Sequence, residues 1–241
     1  MRKIRLGVNI DHVATVRNAR GENYPSPLRT AILAEKCGAH SVTIHLREDR
    51  RHINDLDLKE IKSKLRIPLN LEIAATNEML NIAIKHKPSF VCIVPEKRKE
   101  VTTEGGLNLL KNLNKIRKII TKFKKKKIRT SLFIDPNLKD IKIAKELNVD
   151  CIELHTGKIS DLVKNKKNYN HEYNKIKKCC TLAKKIGLEV HAGHGLDYKT
   201  TSILSKIKEI EEFNIGHFII GESIVHGLKN TIKRFKKISN I

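Results

Sequence analysis

Residues 34–45 read AEKCGAHSVTIH, and the same shape returns at 144–155 as AKELNVDCIELH and at 183–194 as AKKIGLEVHAGH. The three stretches align without gaps. Each opens on an alanine near the end of a helix-like run. Each carries Gly or Asn four residues on (Gly38, Asn148, Gly187), the residue types that accept the left-handed backbone beyond a helix C-terminus. Each then passes through a strand-like segment and sets a histidine at the twelfth position: His45, His155 and His194. One helix end, one turn and one strand, used three times, predict repeated α–β units with their strand tips at similar heights.

The alternation extends in both directions. Strand-like segments read KIRLGVNI (3–10), SVTIHL (41–46), PLNLEIA (68–74), FVCIVP (90–95), IRTSLFI (128–134), DCIELH (150–155), LEVHAG (188–193) and IGHFIIG (215–221). Helix-like stretches follow them at 26–37, 56–65, 77–87, 106–126, 137–147, 174–186, 198–208 and 222–238. The strands are near-continuously apolar, as expected when both faces are covered. Eight strand–helix units in 241 residues predict an α/β chain, a (β/α)8 TIM barrel with additional helices, as one domain over 1–241. No GxGxxG follows the first strand, which argues against a doubly wound sheet. Two connections exceed the minimum. The segment 156–173 is expected to hold an extra helix or a subunit contact. The segment VPEKRKEVTTEGG (94–106), polar and closed by Gly105 and Gly106, suits a mobile lid.

Composition excludes several classes. At 39% hydrophobic residues the chain is globular. No apolar run approaches the length of a membrane span, and MRKIRLGVNIDH lacks the apolar core of a signal peptide, so a cytoplasmic protein is expected. The five cysteines (Cys37, Cys92, Cys151, Cys179, Cys180) match no zinc spacing and read as small buried hydrophobes. Lys plus Arg is 49 and Asp plus Glu is 26, a net +23, which raises nucleic acid as a partner. Yet the lysines cluster in KFKKKK (122–127), KNKKN (164–168) and RFKK (234–237), and aromatics, at 4%, do not interleave with them. These runs read as solvated faces rather than a nucleic-acid site, in a field that favours anionic substrates.

In a barrel, chemistry collects at the C-terminal ends of the strands. Strand one ends in Asn9, Asp11 and His12, and strand two in His45 and Arg47. Strand three carries Glu72, strand six Glu153 and His155, and strand seven His191 followed by Gly193, His194 and Gly195. Strand eight, read as 215–221, starts with Gly216 and His217 and ends at Gly221, which opens the last helix with Glu222 in its first turn. A carboxylate inside an apolar strand is expensive to bury. Glu72, in NLEIA, should therefore have a raised pKa and both take and give protons. His45 and His194 suit general acid–base work. Arg20, Arg47 and His52 supply positive charge for phosphate, and backbone amides at Gly195 and Gly216 can cradle it. The alternative is a metal-dependent barrel hydrolase or isomerase acting on a phosphorylated small molecule, although strand one offers Asn9-Ile10-Asp11-His12 rather than His-x-His.

The motifs GVNIDHVATVRNARG (7–21), VTIHLREDRRHI (42–53), NLEIA (70–74), VPEKRKEVTTEGGL (94–107), SLFID (131–135), IELHTG (152–157), AGHGL (192–196) and NIGHFIIG (214–221) span nearly the whole chain in order. Together they resemble the pyridoxine 5′-phosphate synthase family of deoxyxylulose-dependent vitamin B6 biosynthesis. The resemblance implies a homo-octameric transferase that uses no metal or organic cofactor. It implies condensation of 1-deoxy-D-xylulose 5-phosphate with 3-amino-2-oxopropyl phosphate to pyridoxine 5′-phosphate, phosphate and water. It makes His45 and Glu72 bases, His194 a proton donor and Glu153 a transition-state stabiliser. It places Asp11, His12, Arg47, His52 and Thr102 at the deoxyxylulose phosphate, and Asn9, Arg20, Gly195, Gly216 and His217 at the amino-ketone phosphate.

Overall fold

The helix-to-strand repeat is realised in the backbone. Gly38, Asn148 and Gly187 lie at φ values of 90°, 60° and 77°. The amide of the residue after each reaches back to the carbonyl of Ala34, Ala144 or Ala183, at 3.0, 3.4 and 2.9 Å. Each helix is thereby closed before its strand begins. The structure is a computed structural model, and it describes residues 4–96 and 105–238.

The strands are β1 (Arg5–Asn9), β2 (Ser41–His45), β3 (Leu69–Ala74), β4 (Phe90–Val94), β5 (Arg129–Ile134), β6 (Cys151–His155), β7 (Glu189–Gly193) and β8 (Ile210–Ile215). Each pairs in parallel with its sequence neighbours, and β1 pairs with β8 to close an eight-stranded barrel. The helices are α1 (Asp11–Arg20), α2 (Pro27–Lys36), α3 (Asp55–Lys64), α4 (Asn77–His86), α5 (Leu109–Lys125), α6 (Leu138–Glu146), α7 (Gly157–Lys164), α8 (Asn170–Lys185), α9 (Tyr198–Leu204), α10 (His217–His226) and α11 (Leu228–Ile238).

Side chains alternate across each strand. Leu6, Val8, Val42, Ile44, Leu71, Ile73, Val91 and Ile93 are completely buried outside the barrel, against the helices. The positions between them turn inward and are largely polar, including Thr43, His45, Asn70, Glu72, Glu153, His191, Glu212 and Asn214. One inner wall is apolar, a separate cluster of Cys92, Val94 and Phe133. Four of the five cysteines are buried, none in a disulfide.

Three helices, α1, α7 and α10, start within two residues of the ends of β1, β6 and β8. Their N-terminal amides therefore open at the barrel mouth, where the strands end. Sequence reading found room for α7 in the segment 156–173 but missed α1, whose run DHVATVRNAR has few large apolar residues. It also misplaced the last strand. IEEFNI (210–215), not 215–221, forms β8, and 217–226 is helix α10, so the last helix, α11, begins at 228 rather than 222. The charged pair concealed this strand: Glu211 faces out to Lys184 at 2.8 Å, while Glu212 faces in to Arg5 and Ser41 at 2.7 and 2.8 Å. Gly221 and Glu222 consequently lie within α10, not at the opening of the final helix.

Candidate active site

The mouth is built on the first turn of α1. Asp11 accepts the amide of His45 at 2.8 Å through one oxygen and the Asn9 side-chain amide at 2.8 Å through the other. Asn9 returns the contact by accepting the Asp11 amide at 2.9 Å. This reciprocal pair ties the end of β1 to the end of β2. His45 is thus held at the rim with its ring 5.8 Å from that of His52.

His45 stands between two carboxyl groups. Its Nε2 is 2.8 Å from Glu96 Oε1, and its Nδ1 is 3.9 Å from Glu72 Oε2. Glu96 also accepts the amide of Glu48 at 3.1 Å. Burial works against the Glu96 charge, but the His45 contact outweighs it and the carboxyl lies below its ordinary range. Glu72 behaves in the opposite way. Burial, followed by repulsion from Glu153 and Asp11, pushes its carboxyl well above the usual range. Its side chain keeps 15% exposure at the mouth, enough to meet a substrate.

Glu153 is the second raised carboxyl. Burial drives it up to about 7, against the pull of His191 and of the Asn214 amide that it accepts at 2.7 Å. Gly193 makes room for it: a β-carbon there would sit 2.1 Å from Glu153 Oε1. His194 follows at φ 77°. Its ring centroid lies 5.0 Å from His155 and 6.4 Å from Phe133. Burial, then the neighbouring His155 charge, lowers the His194 pKa to about 4.

The β1 and β8 ends make the other half of the mouth. Gly216 packs beside Asn9, and His217, the first residue of α10, meets His12 with ring centroids 5.0 Å apart. Burial lowers the His12 pKa, and His217 adds to that effect against Asp11. Gly195 lies against the first turn of α7, near Ser160. Thr156 ties that turn down: its hydroxyl lies 2.7 Å from the carbonyls of both Gly193 and His194, which share its one hydrogen.

Asp11, His45 and His52 offer ligand atoms within 4.8 Å of one another, the set that would hold a metal ion. Both Asp11 oxygens are already engaged, and buried Arg47 adds positive charge beside His52. This arrangement favours an anion over a cation.

Residues 6–240 match the family described as "Pyridoxal phosphate biosynthesis protein PdxJ". The chain belongs to the PdxJ family. It is 71% identical over 236 residues to pyridoxine 5′-phosphate synthase of Pelagibacter ubique (strain HTCC1062), covering 98% of this chain and 99% of that one. It is 51% identical over 235 residues to the Zymomonas mobilis enzyme of the same name, covering 98% and 91%. Among solved structures, thiamine phosphate pyrophosphorylase from Pyrococcus furiosus aligns at TM-score 0.65 and 11% identity, over 99% of this chain and 96% of that one. Phosphoribosyl anthranilate isomerase from Thermotoga maritima aligns at 0.63 and 13%, over 98% of each chain. These two likenesses establish the TIM-barrel fold of this PdxJ member.

Of the residues the sequence singled out, Asn9, Asp11, His12, His45, Arg47, His52, Glu72, Glu153, His194, Gly195, Gly216 and His217 gather at the mouth. Arg20 does not join them. Helix α1 carries it to its far end, on the order of 14 Å from Asp11 at 1.5 Å per residue, where it is exposed, 3.8 Å from Glu22. His191 is not at the rim either: it turns into the barrel below Glu153 and bonds Glu189 at 2.8 Å. Thr102 and most of the expected lid lie outside the described residues.

Sequence reasoning also missed partners that hold the mouth in place. Glu96 lay inside a quoted motif, but nothing in one sequence links it to His45. Arg17 pairs with Asp57 through its two terminal guanidinium nitrogens, at 2.6 and 2.9 Å, and donates to the His52 carbonyl at 3.1 Å. Asn18 donates to the same carbonyl at 2.9 Å. Helix α1 thereby fixes the loop that presents His52.

Proposed function

We propose that this chain condenses 1-deoxy-D-xylulose 5-phosphate with 3-amino-2-oxopropyl phosphate, releasing pyridoxine 5′-phosphate, inorganic phosphate and water. One observation carries the reading. Two buried carboxyls with raised pKa, Glu72 and Glu153, face one mouth with His45 and His194, between the N-termini of α1 and α10. The reaction needs that set. An amine attacks a ketone, an imine forms and shifts to enamine and enol species, phosphate and water leave, and a carbon–carbon bond closes the ring.

Each step moves a proton, so the site needs groups that hold one near neutral pH. His45 and Glu72 remove protons from substrate carbons and nitrogen. His194, with its low proton affinity, is a strong acid when charged and protonates departing oxygen. Glu153 stabilises positive charge on the imine. Asp11, His12, Arg47 and His52 receive the deoxyxylulose phosphate, together with Thr102. Asn9, Gly195, Gly216 and His217 receive the amino-ketone phosphate at the N-terminus of α10. A buried His12 Nδ1 with no partner among the described residues supports a ligand there. Arg20 has no part in this site within one chain.

The same reading includes a cytoplasmic homo-octamer without a metal or organic cofactor, and no membrane or nucleic-acid partner. Among the described residues no helix is long and apolar enough to cross a membrane. Exposed Val16, Ile224 and Val225, on the adjoining α1 and α10, provide an apolar face for self-association. The lysine runs close α5 and α11, at helix C-termini and so away from the mouth. Incubating the purified, chelator-treated protein with both phosphorylated substrates tests the reading. Pyridoxine 5′-phosphate and inorganic phosphate should appear in equal amounts. Binding of both substrates without either product would refute it.

A further inference from the structure

The connection between β4 and α5 begins at Pro95 and ends at Asn108, and its two ends are tied to the two histidines of the mouth. At the near end, Glu96 sits on His45 Nε2 at 2.8 Å, and both side chains are under a tenth exposed. A carboxylate only accepts, so Nε2 carries the hydrogen. Neutral His45 then has its lone pair on Nδ1, the nitrogen that faces Glu72 at 3.9 Å. At the far end, Gly106 is pressed onto the Ile134–Asp135 backbone, where a β-carbon would lie 2.1 Å from the Asp135 nitrogen. Its amide donates to Asp135 Oδ1 at 3.1 Å, and Leu107 donates to the Phe133 carbonyl at 2.8 Å. The same Asp135 oxygen lies 3.1 Å from His155 Nδ1. His155 packs against His194, its ring centroid 5.0 Å away.

We propose that Glu96 and Asp135 are positioning residues for the two proton-transfer histidines, Glu96 acting on His45 directly and Asp135 on His194 through the His155 ring. This assignment rests on the proton-transfer roles given above to His45 and His194. Glu96 selects the tautomer that aims a lone pair at the substrate side. Asp135 fixes the His155 ring where it packs on His194, and so sets the surroundings in which His194 gives up its proton. Among the described residues, the other ionisable groups around this second set of contacts are Asp161 on α7, which opposes the His194 shift, Glu153 near His155, and Lys175 and Asp140 near Asp135. Because both carboxylates touch one connection, its seating bears on both histidines together.

Nitrogen-15 and carbon-13 histidine NMR on the full chain, beside steady-state kinetics, tests this. In the native protein His45 should show the Nε2–H tautomer, and His194 should titrate low. Glu96→Ala should mix the His45 tautomers. His155→Gln should move the His194 midpoint upward, since a neighbouring positive charge is gone. Asp135→Asn keeps an acceptor for the Gly106 amide but weakens the hold on the His155 ring, and should also move that midpoint. Each variant should lose about 10- to 100-fold in kcat with KM within about threefold, as for other side chains that orient a reacting histidine. In His155→Gln the acid limb of the kcat profile should follow the NMR midpoint. An unchanged His45 tautomer in Glu96→Ala, or an unchanged His194 midpoint in both other variants, overturns the proposal. The NMR results stand whether or not the native protein makes pyridoxine 5′-phosphate, so they separate this failure from failure of the proposed reaction.

Discussion

The barrel carries ionisable side chains at both ends, and the two ends treat them in opposite ways. At the N-terminal end, Arg5 bonds both Glu212 and Glu189, Arg129 also bonds Glu189, and His191 joins Glu189 at 2.8 Å. Burial opposes charge on Glu189 and Glu212. The histidine and the arginines outweigh it, and both carboxyls fall below their ordinary range. At the mouth, burial acts on Glu72 and Glu153 without a guanidinium to offset it, and both carboxyls rise. Residue type therefore does not distinguish a structural charge from a reactive one. The presence of a fixed cation does.

The contrast is sharpest at Glu72. Glu72→Gln should keep both phosphorylated substrates bound within several-fold, because no phosphate-binding group depends on it, while turnover falls by about 10²–10⁴. Calorimetry beside product formation checks this, and equal losses in binding and turnover would contradict the assignment. The next effect belongs to the other end. Glu212→Ala removes one of the two carboxylate partners of the half-buried Arg5 guanidinium and should cost about 1–2 kcal/mol in urea unfolding. Turnover by the folded fraction should change less than about twofold if that end is structural.

The two ends should also answer pH with opposite signs. A carboxyl lowered by folding stabilises above its unfolded pKa, and that contribution is lost as pH falls through the folded value. Glu189 and Glu212 thus weaken the fold in acid. A carboxyl raised by folding stabilises below its unfolded pKa, and the contribution is lost as pH rises, for Glu153 through about 7. Glu72→Gln and Glu153→Gln should therefore gain stability over native protein in alkaline solution and none in acid. A gain that does not vary with pH would break the comparison.

Smaller effects are expected away from the reacting groups. Arg17→Met frees the His52 loop and should raise KM for the deoxyxylulose phosphate about tenfold, the scale of one charge-assisted hydrogen bond. Its kcat should stay within about threefold, and a matching fall in kcat would mean the loop orients more than a phosphate. Replacing Lys124 to Lys127 with Gln should leave substrate affinity unchanged within about twofold at matched ionic strength. A larger loss would give the +23 charge a role at the site.

What was legible in the sequence followed periodicity and local chemistry. The triple repeat placed His45, His155 and His194 correctly because helix ends and strand tips are local features. Glu72 stood out because a carboxylate is rare among Leu71, Ile73 and Ala74. Several of the misreadings share a cause, pairing at long range. IEEFNI did not read as a strand until Arg5 and Ser41, far away in the chain, supplied partners for Glu212. His191 looked like a rim residue because its contact with Arg5, at the start of the first strand, depends on barrel closure. Glu96 and Asp135 were overlooked for the same reason: each acts through a histidine on another strand. Arg20 was named for its charge and for the motif that carries it, and within one chain the length of α1 sets it away from the mouth.

The central claim is that the mouth raises the carboxyl pKa of Glu72 and Glu153 while the opposite end lowers those of Glu189 and Glu212. Infrared difference spectroscopy across a pH titration, native protein against Glu72→Gln and against Glu212→Gln, tests this most directly. The carboxyl C=O band that Glu72→Gln removes should persist to higher pH than that of an ordinary glutamic acid, and the band that Glu212→Gln removes should vanish at lower pH. A Glu72 band that vanishes at or below the ordinary carboxyl range would contradict the account, and the distinction between the two ends would be lost.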